Sequence, residues 1–251
     1  MSRKFCYIFL AVFVLNGASS LKIPSYFKQC ARTSPDFNEC AKRNGQKALA
    51  GLIGGDRKYR IPNLNPLHIP ELNINQNGNL KILLKDAYIS GLADTIIQNC
   101  DFDFNNRRIT INFSLPKLTI QSLYEIAGRI LVLPITGKGP SNIALHGLTF
   151  SYDYNYGIVR KGNADYLEPK KGKISYTLQG MNLRFENLFN GDRLLGEETN
   201  NFLNENWQDV EKELGPGVVE ALAEVVHLIL SNVCNLVPFD ELFPEVVPGQ
   251  A

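Results

Sequence analysis

The C-terminal third of the chain carries two successive apolar patterns with helical spacing. The first is a stripe at intervals of four, three and four residues, formed by Leu203, Trp207, Val210 and Leu214. It predicts a helix with one narrow apolar face. From Val218 to Val233 the pattern is reversed, and polar residues form the narrow stripe: Glu220, Glu224, His227 and Ser231. Because this second stretch is too short and too polar to span a bilayer, we expect the rest of the chain to surround it.

The middle of the chain, from about Tyr59 to Phe189, alternates apolar and polar residues as strands with one buried face do. The clearest rows begin at Leu80, Ile109, Phe150 and Ile174. The turn signals are Asn77-Gly78, Gly162-Asn163, Lys171-Gly172 and Gly137-Lys138-Gly139. The last of these predicts a turn between strands at Leu131–Ile135 and Ile143–Leu145. Alternation of this kind predicts an antiparallel sheet that is apolar on one side.

A further helix is predicted ahead of the sheet. Ser34, Pro35 and Asp36 suit the N-cap, the first helical position and the first turn. Gly54-Gly55 ends this helix after about Ile53. Since no repeat, linker or break in composition divides the chain, we expect one α+β domain.

The first 20 residues have the pattern of a secretory signal peptide, although a buried N-terminal helix is the alternative. Arg3 and Lys4 precede an apolar run from Phe5 to Leu15, and small residues follow up to Ser20. Cleavage there would leave residues 21–251 as a single secreted domain with 24 basic and 25 acidic side chains. This balance gives no electrostatic basis for binding nucleic acid or an anionic membrane.

Four cysteines remain after cleavage, and in an oxidising compartment they permit three full pairings. A Cys30–Cys40 bridge would pin the N-terminal arm to the predicted first helix and would contribute about 2–3 kcal/mol of stability. Cys100 shares the face of Phe102 in an alternating run, so it points inward, and burial as a small apolar residue is its expected state. A bridge between Cys100 and Cys234 remains open.

The sequence contains no complete catalytic or metal-binding motif. No two of the mature histidines, His68, His146 and His227, have the spacing of metal ligands. The GxSxG elbow of esterases is absent, and Asp101 and Asp103 are more typical of a solvated strand face than of a calcium site. We therefore expect no metal, no cofactor and no enzymatic activity. A Ser–His–Asp arrangement assembled in space is the alternative.

Several segments of the sequence resemble one protein family. They are NPLHIPEL (65–72), LPKLTI (115–120), LVLPITGKGPSNIAL (131–145), the C-terminal FLNENW…LFPEV, and the early pair Cys30 and Cys40. In order, and over essentially the whole mature chain, they resemble the insect juvenile hormone-binding and takeout-like family. Cys100 and Cys234 do not match the second disulfide of the hormone binders, so the likeness is to the takeout-like branch.

The resemblance implies a fold and a binding site. The fold is a long C-terminal helix wrapped in a strongly curved antiparallel β-sheet, enclosing an apolar tunnel that holds a lipid-like ligand. The resemblance also implies the Cys30–Cys40 disulfide. Leu222 and Val226, four residues apart on one helix face, are the first choices for ligand contact. The full predicted set is Leu123, Ile130, Val132, Ile143, Leu145, Phe150, Tyr152, Trp207, Val219, Leu222, Val226 and His227.

Two members of this set have alternative roles. Trp207 also suits a core position because of the large area that tryptophan buries. His227 either bonds a neighbouring backbone group or anchors a ligand head group. Outside the tunnel, Asn112 begins an Asn-Phe-Ser acceptor for N-glycosylation, with its side chain expected on the wet face of the sheet.

The expected function is secreted carriage of a small hydrophobic ligand, either a terpenoid hormone or a fatty-acyl-like lipid. One alternative is a secreted lipid-ester hydrolase, which would need a nucleophile in the tunnel. The other is a lipid-delivering signalling protein with an unknown receptor, which an exposed apolar patch near Phe239, Leu242 and Phe243 would favour. We expect no nucleic-acid partner and no stable insertion into a membrane.

Overall fold

A computed structural model describes residues 20–76 and 80–247. Within these ranges the sheet consists of β1 (Leu67–Gln76), β2 (Leu80–Ser90), β3 (Ile96–Asp103), β4 (Arg108–Ile130), β5 (Leu133–Lys161), β6 (Ala164–Pro169), β7 (Lys173–Thr177) and β8 (Gly180–Phe185). The helices are α1 (Phe37–Leu52), α2 (Arg193–Glu205), α3 (Trp207–Leu236) and the short α4 (Phe239–Leu242). The predicted signal peptide, except Ser20, and the Asn77-Gly78 turn lie outside the described residues.

Two very long strands, β4 and β5, lie at the centre of the sheet. They pair antiparallel from Arg108↔Asn155 to Ile130↔Leu133. The shorter strands pair along their outer edges: β2 and β3 with β4, and β6, β7 and β8 with β5. All pairings are antiparallel, as the alternation predicts, and the sheet curls round the inner side of α3. The predicted fold, a long C-terminal helix held in a curved antiparallel sheet, is confirmed.

The predicted turn at Gly137-Lys138-Gly139 is wrong, because these residues lie inside β5. Lys138 pairs with Glu125 of β4 in an unbroken register. The two glycines instead allow the chain after β8 to pass close to β5. A Cβ atom at Gly137 would lie 2.9 Å from the Cα of Leu188, and one at Gly139 would lie 2.7 Å from the carbonyl oxygen of Glu186. The chain segment after β8 can therefore cross directly over this part of β5.

The sheet bends where prolines interrupt β1 and β4. In β1 the buried residues are Leu67 and Ile69 before Pro70, and Leu72 and Ile74 after it. The buried position thus changes from odd to even numbers at the proline, which has no N–H group to donate to a neighbouring strand and has no partner in the register.

A second bend crosses β4 and β5 at one level. Leu115 is buried before Pro116, and Leu118 is buried after it. Gly147 of β5 lies opposite Pro116, but the two residues do not pair in the register. Gly147 has a φ of +56°. Because both strands change face together, their register is kept while the sheet turns.

Helix α1 begins at Phe37, two residues later than predicted, and Asp36 takes the position before it without a side-chain capping bond. The residues expected to start the helix instead form a turn, in which the Phe37 N–H donates to the Ser34 carbonyl oxygen at 3.1 Å. The helix covers the edge strand β3, where the Gln46 amide donates to the Thr95 carbonyl oxygen and accepts from the Ile97 N–H.

The first predicted C-terminal stripe does not lie on one helix: Leu203 belongs to α2, and Trp207, Val210 and Leu214 belong to α3, which begins after Asn206. The second predicted pattern lies wholly within α3. Helix α3 runs for 30 residues through Gly215-Pro216-Gly217, so it is much longer than the predicted Val218–Val233 segment. The expectation that protein surrounds this segment is only partly right. Its inner face packs on the sheet, whereas Leu228 on its outer face is 60% exposed. By length and composition α3 could cross a bilayer, as no other helix in the described ranges could.

The disulfide of the structure joins Cys30 to Cys40 and ties the N-terminal arm to α1. Cys100 and Cys234 are both buried and unbonded, so the bridge left open between them is not formed. The inward position predicted for Cys100 is confirmed, and burial raises the pKa of its thiol to about 11.

Candidate functional site

A cavity of about 280 Å³ lies between the inner face of α3 and the concave face of the sheet. The helix contributes an apolar stripe in which each residue follows the last by three or four positions: Leu214, Val218, Leu222, Val225 and Ile229. Strands β5 and β7 face this stripe, and the end of α1 closes one side with Leu49 and Ile53. The described atoms that border the cavity are apolar. Such a space suits the hydrocarbon part of a ligand.

Half of the predicted ligand-contact residues lie together in this cavity wall. They are Ile143, Leu145, Phe150, Val219, Leu222 and Val226. The first three belong to β5 on either side of Gly147, where the change of face keeps both halves of the strand directed inward. Leu222 and Val226 share the inner face of α3, as their spacing predicts.

The other half of the predicted set lies elsewhere. Leu123 is 53% exposed on the convex side of the sheet, and Val132 is 74% exposed in the tight turn between β4 and β5. Ile130 is fully buried, and Trp207 is partly buried against the main core. Tyr152 belongs to a second core cluster, where its hydroxyl accepts from the Gly172 N–H at 3.2 Å. The core alternative for Trp207 therefore agrees with its position.

His227 lies outside the cavity wall. Its Nε2 atom is 3.5 Å from the Ser231 hydroxyl oxygen, and its buried Nδ1 has no partner among the described residues. Within the described ranges His227 makes no hydrogen bond to a neighbouring backbone group, which was one of its two alternatives. Of the other two histidines, His68 is exposed and contacts Asp86, and His146 is half-buried and contacts Asn182. In the described ranges no three His, Cys, Asp or Glu side chains are arranged to hold a metal ion.

Asn112 lies near the start of β4, paired on one side with Asn99 of β3 and on the other with Ser151 of β5. Its side chain is half-buried. N-glycosylation at this position stays a prediction.

The sequence analysis missed most of the sheet residues in the wall, including Leu118, Leu148, Ile174 and Tyr176 of β7, and Leu178 just after it. The row of Ile174, Tyr176 and Leu178 was visible as an alternating run. What the alternation did not show is which of several apolar strand faces meets the helix and which packs in a separate core.

One polar pair belongs to the cavity wall. The Tyr176 hydroxyl of β7 donates to Oε1 of Glu211 on α3, one turn before Gly215. Burial, and then this bond, raise the pKa of Tyr176 well above its usual value. A Cβ atom at Gly215 would overlap the Tyr176 hydroxyl oxygen and would lie 2.9 Å from Glu211 Oε1. The glycine therefore provides the space in which the two polar groups meet.

Comparison with known proteins agrees with this architecture. The family model described as haemolymph juvenile hormone binding protein matches residues 8–244. The crystal structure of Epiphyas postvittana Takeout 1 superposes with a TM-score of 0.78 at 26% identity, over 86% of this chain and 99% of that one.

Two curated relatives extend the comparison. The circadian clock-controlled protein daywake of Drosophila yakuba is 22% identical over 236 residues, covering 90% of each chain. A putative beta-carotene-binding protein of Schistocerca gregaria is 30% identical over 115 residues, which are 45% of this chain and 46% of that protein. The length of the family match and the shared fold establish that this chain belongs to the haemolymph juvenile hormone-binding protein family.

Proposed function

We propose that the protein is a secreted carrier that holds a small hydrophobic ligand in the cavity between α3 and the sheet. The observation that supports this most directly is the apolar wall of that cavity, since burial of apolar surface drives such binding without covalent chemistry. The Schistocerca gregaria relative is named a putative beta-carotene-binding protein, and this name supports the same class of ligand.

Secretion is supported by three independent features. The first 20 residues have a signal-peptide pattern, Cys30 and Cys40 form a disulfide, and the family description refers to haemolymph. We further propose that the carried molecule is a terpenoid or fatty-acyl-like lipid and that Asn112 carries a glycan. Native mass spectrometry of the secreted protein, followed by extraction of its bound lipid, would identify the ligand and weigh the glycan.

A matched pair of variants on α3 tests the cavity as the binding site. Leu222→Lys places an ammonium group in the apolar wall, where an unpaired charge is too costly to keep, so displacement of a neutral fluorescent lipid probe should weaken at least about tenfold. Leu228→Lys adds the same charge on the exposed outer face of the same helix and should bind as the parent does. Circular dichroism checks that both variants fold. A folded Leu222→Lys protein with parental affinity would place binding elsewhere.

A further inference from the structure

The wall of the cavity contains an acidic group, Glu211, that is hydrogen-bonded to a tyrosine. Glu211 is half-buried on the inner side of α3, in line with Leu214 and Val218. Among the described residues it accepts one hydrogen bond, from Tyr176, and no lysine, arginine or histidine pairs with it. Neighbouring acids on the same helix do have partners: Glu213 accepts from the Leu131 N–H at 2.8 Å, and Glu224 pairs with Lys171 at 2.6 Å.

The polar ends of Glu211 and Tyr176 are directed at each other, and only their apolar atoms border the cavity. The arrangement is specific, because it requires a glycine one helical turn after Glu211. Glycine inside a helix is less favourable than alanine. Gly215 nevertheless occupies a position where a Cβ atom would overlap the Tyr176 hydroxyl and crowd the Glu211 carboxylate.

We propose that Glu211 is a specificity-determining residue that makes the cavity select neutral ligands and reject carboxylates. The inference rests on the proposed carrier function. A Glu211 carboxylate that forms no ion pair with a described residue leaves negative charge at the wall of an apolar space, where charges interact more strongly than in water. A ligand carboxylate that enters this space meets a like charge and loses its hydration, whereas an ester of the same chain meets neither penalty.

Charge, and not the hydrogen bond, is the selecting feature. Tyr176 holds the carboxylate in place but does not neutralise it, since a tyrosine hydroxyl stays protonated at neutral pH. Removal of the hydroxyl should therefore keep the discrimination. Replacement of the carboxylate by an amide, which is nearly the same size and still accepts a bond from Tyr176, should reduce it.

The experiment compares methyl dodecanoate with dodecanoate as competitors for the neutral probe N-phenyl-1-naphthylamine, at about pH 8, where the free acid is ionised. The parent should bind the ester at least about tenfold more tightly than the acid. An apolar wall alone already disfavours a carboxylate, so the decisive quantity is the change in this acid-to-ester ratio on mutation.

Glu211→Gln should shift the ratio toward the acid by at least about fivefold, mainly through tighter binding of the acid. The matched control Glu213→Gln removes the same charge two residues along the helix, outside the cavity wall, and should keep the parental ratio within about twofold. Tyr176→Phe keeps the carboxylate and should show a ratio at least as large as the parent's.

The inference is overturned if the parent binds acid and ester equally, if folded Glu211→Gln keeps the parental ratio, or if Tyr176→Phe loses the discrimination. The first and third results count even when Glu211→Gln does not fold. Failure of the carrier function would look different, because the parent would then bind neither the probe nor the ester.

Discussion

Single amide side chains complete both edges of the sheet where helices cover them. On α2, the Asn200 amide donates to the Phe185 carbonyl oxygen and accepts from the Phe185 N–H, both at 2.9 Å. Asn204, one turn later, makes the same two bonds with Leu183. At the start of β3, Gln46 of α1 bonds two alternate residues, donating to the Thr95 carbonyl oxygen and accepting from the Ile97 N–H. Each amide takes the place of a residue in a neighbouring strand, so the edge has no unpaired backbone groups at these positions.

Replacement of Asn200 by alanine should lower the free energy of unfolding by about 2–4 kcal/mol, because it leaves the Phe185 N–H and carbonyl oxygen buried without partners. Asn201→Ala is the matched control. Its side chain is exposed, and its loss should change stability by no more than about 0.5 kcal/mol. Urea denaturation measures both. Equal stability of the two variants would mean that the Asn200 bonds contribute nothing net.

The sequence could not distinguish these two asparagines. Asn200 and Asn201 are identical neighbours on one helix, and only the position of β8 decides which of them is buried. The sequence also did not identify Glu211 as a wall residue. Its position continues an apolar stripe, but a charged side chain at such a position more often turns to solvent.

At the scale of the elements, the strands and helices were predictable but the bends were not. Alternation from Ile109 to Leu115 assigns odd-numbered residues of β4 to the inner face, and counting on by twos places Leu123 there. The bend at Pro116 moves the inner face to even numbers, so Tyr124 is buried and Leu123 points outward. The signal was present in the sequence, because Ile-Pro-Glu-Leu (69–72) and Leu-Pro-Lys-Leu (115–118) both separate two apolar residues by a proline and a charged residue.

Gly147→Ala should destabilise the protein by about 1–2 kcal/mol, because Gly147 has a φ of +56° opposite Pro116 and a Cβ atom there would also overlap the Gln179 side chain. Gly180→Ala is the control, since Gly180 pairs with the neighbouring His146 and its nearest Cβ contact is at 3.8 Å. Its stability should stay within about 0.5 kcal/mol of the parent's. Thermal denaturation compares them. If Gly147→Ala is as stable as Gly180→Ala, the bend does not depend on glycine.

At the scale of the whole molecule, the first and last of the described segments meet at one end of the structure. The Leu21 N–H donates to the Leu236 carbonyl oxygen at the end of α3, and the Arg32 N–H donates to the Pro244 carbonyl oxygen. Beneath them lies an aromatic cluster whose ring centroids are 5.1–6.4 Å apart, formed by Phe37, Phe102, Phe104, Phe239 and Phe243.

The sequence left open an exposed apolar patch near Phe239, Leu242 and Phe243, which would have favoured a protein that delivers its ligand to a receptor. In the structure all three side chains are partly buried in the second core cluster. No local pattern could predict this, because Phe37 and Phe102, which contact Phe243, lie more than 100 positions away from it in the sequence.

Arg32 is the side chain that joins the N-terminal arm most directly to the segment that follows α3. Its guanidinium donates to Asp240 at 2.6 Å, to Glu245 at 2.8 Å and to the Phe243 carbonyl oxygen at 2.6 Å, and it lies 5.3 Å from the Phe239 ring centroid. Arg32→Met keeps the apolar length of the side chain and removes all of these polar contacts.

We therefore expect Arg32→Met to speed hydrogen exchange about tenfold in residues 239–247, with little change in β4, because exchange in a terminal segment reports its local opening. Arg160→Met is the control: its exposed ion pair with Asp165 lies within the β5–β6 hairpin, and such surface pairs contribute little. Mass spectrometry of exchanged peptides separates the regions. Unchanged exchange after Arg32→Met would show that the aromatic cluster alone holds the C-terminal segment. Faster exchange throughout β4 would show that the contacts of Arg32 stabilise the entire fold.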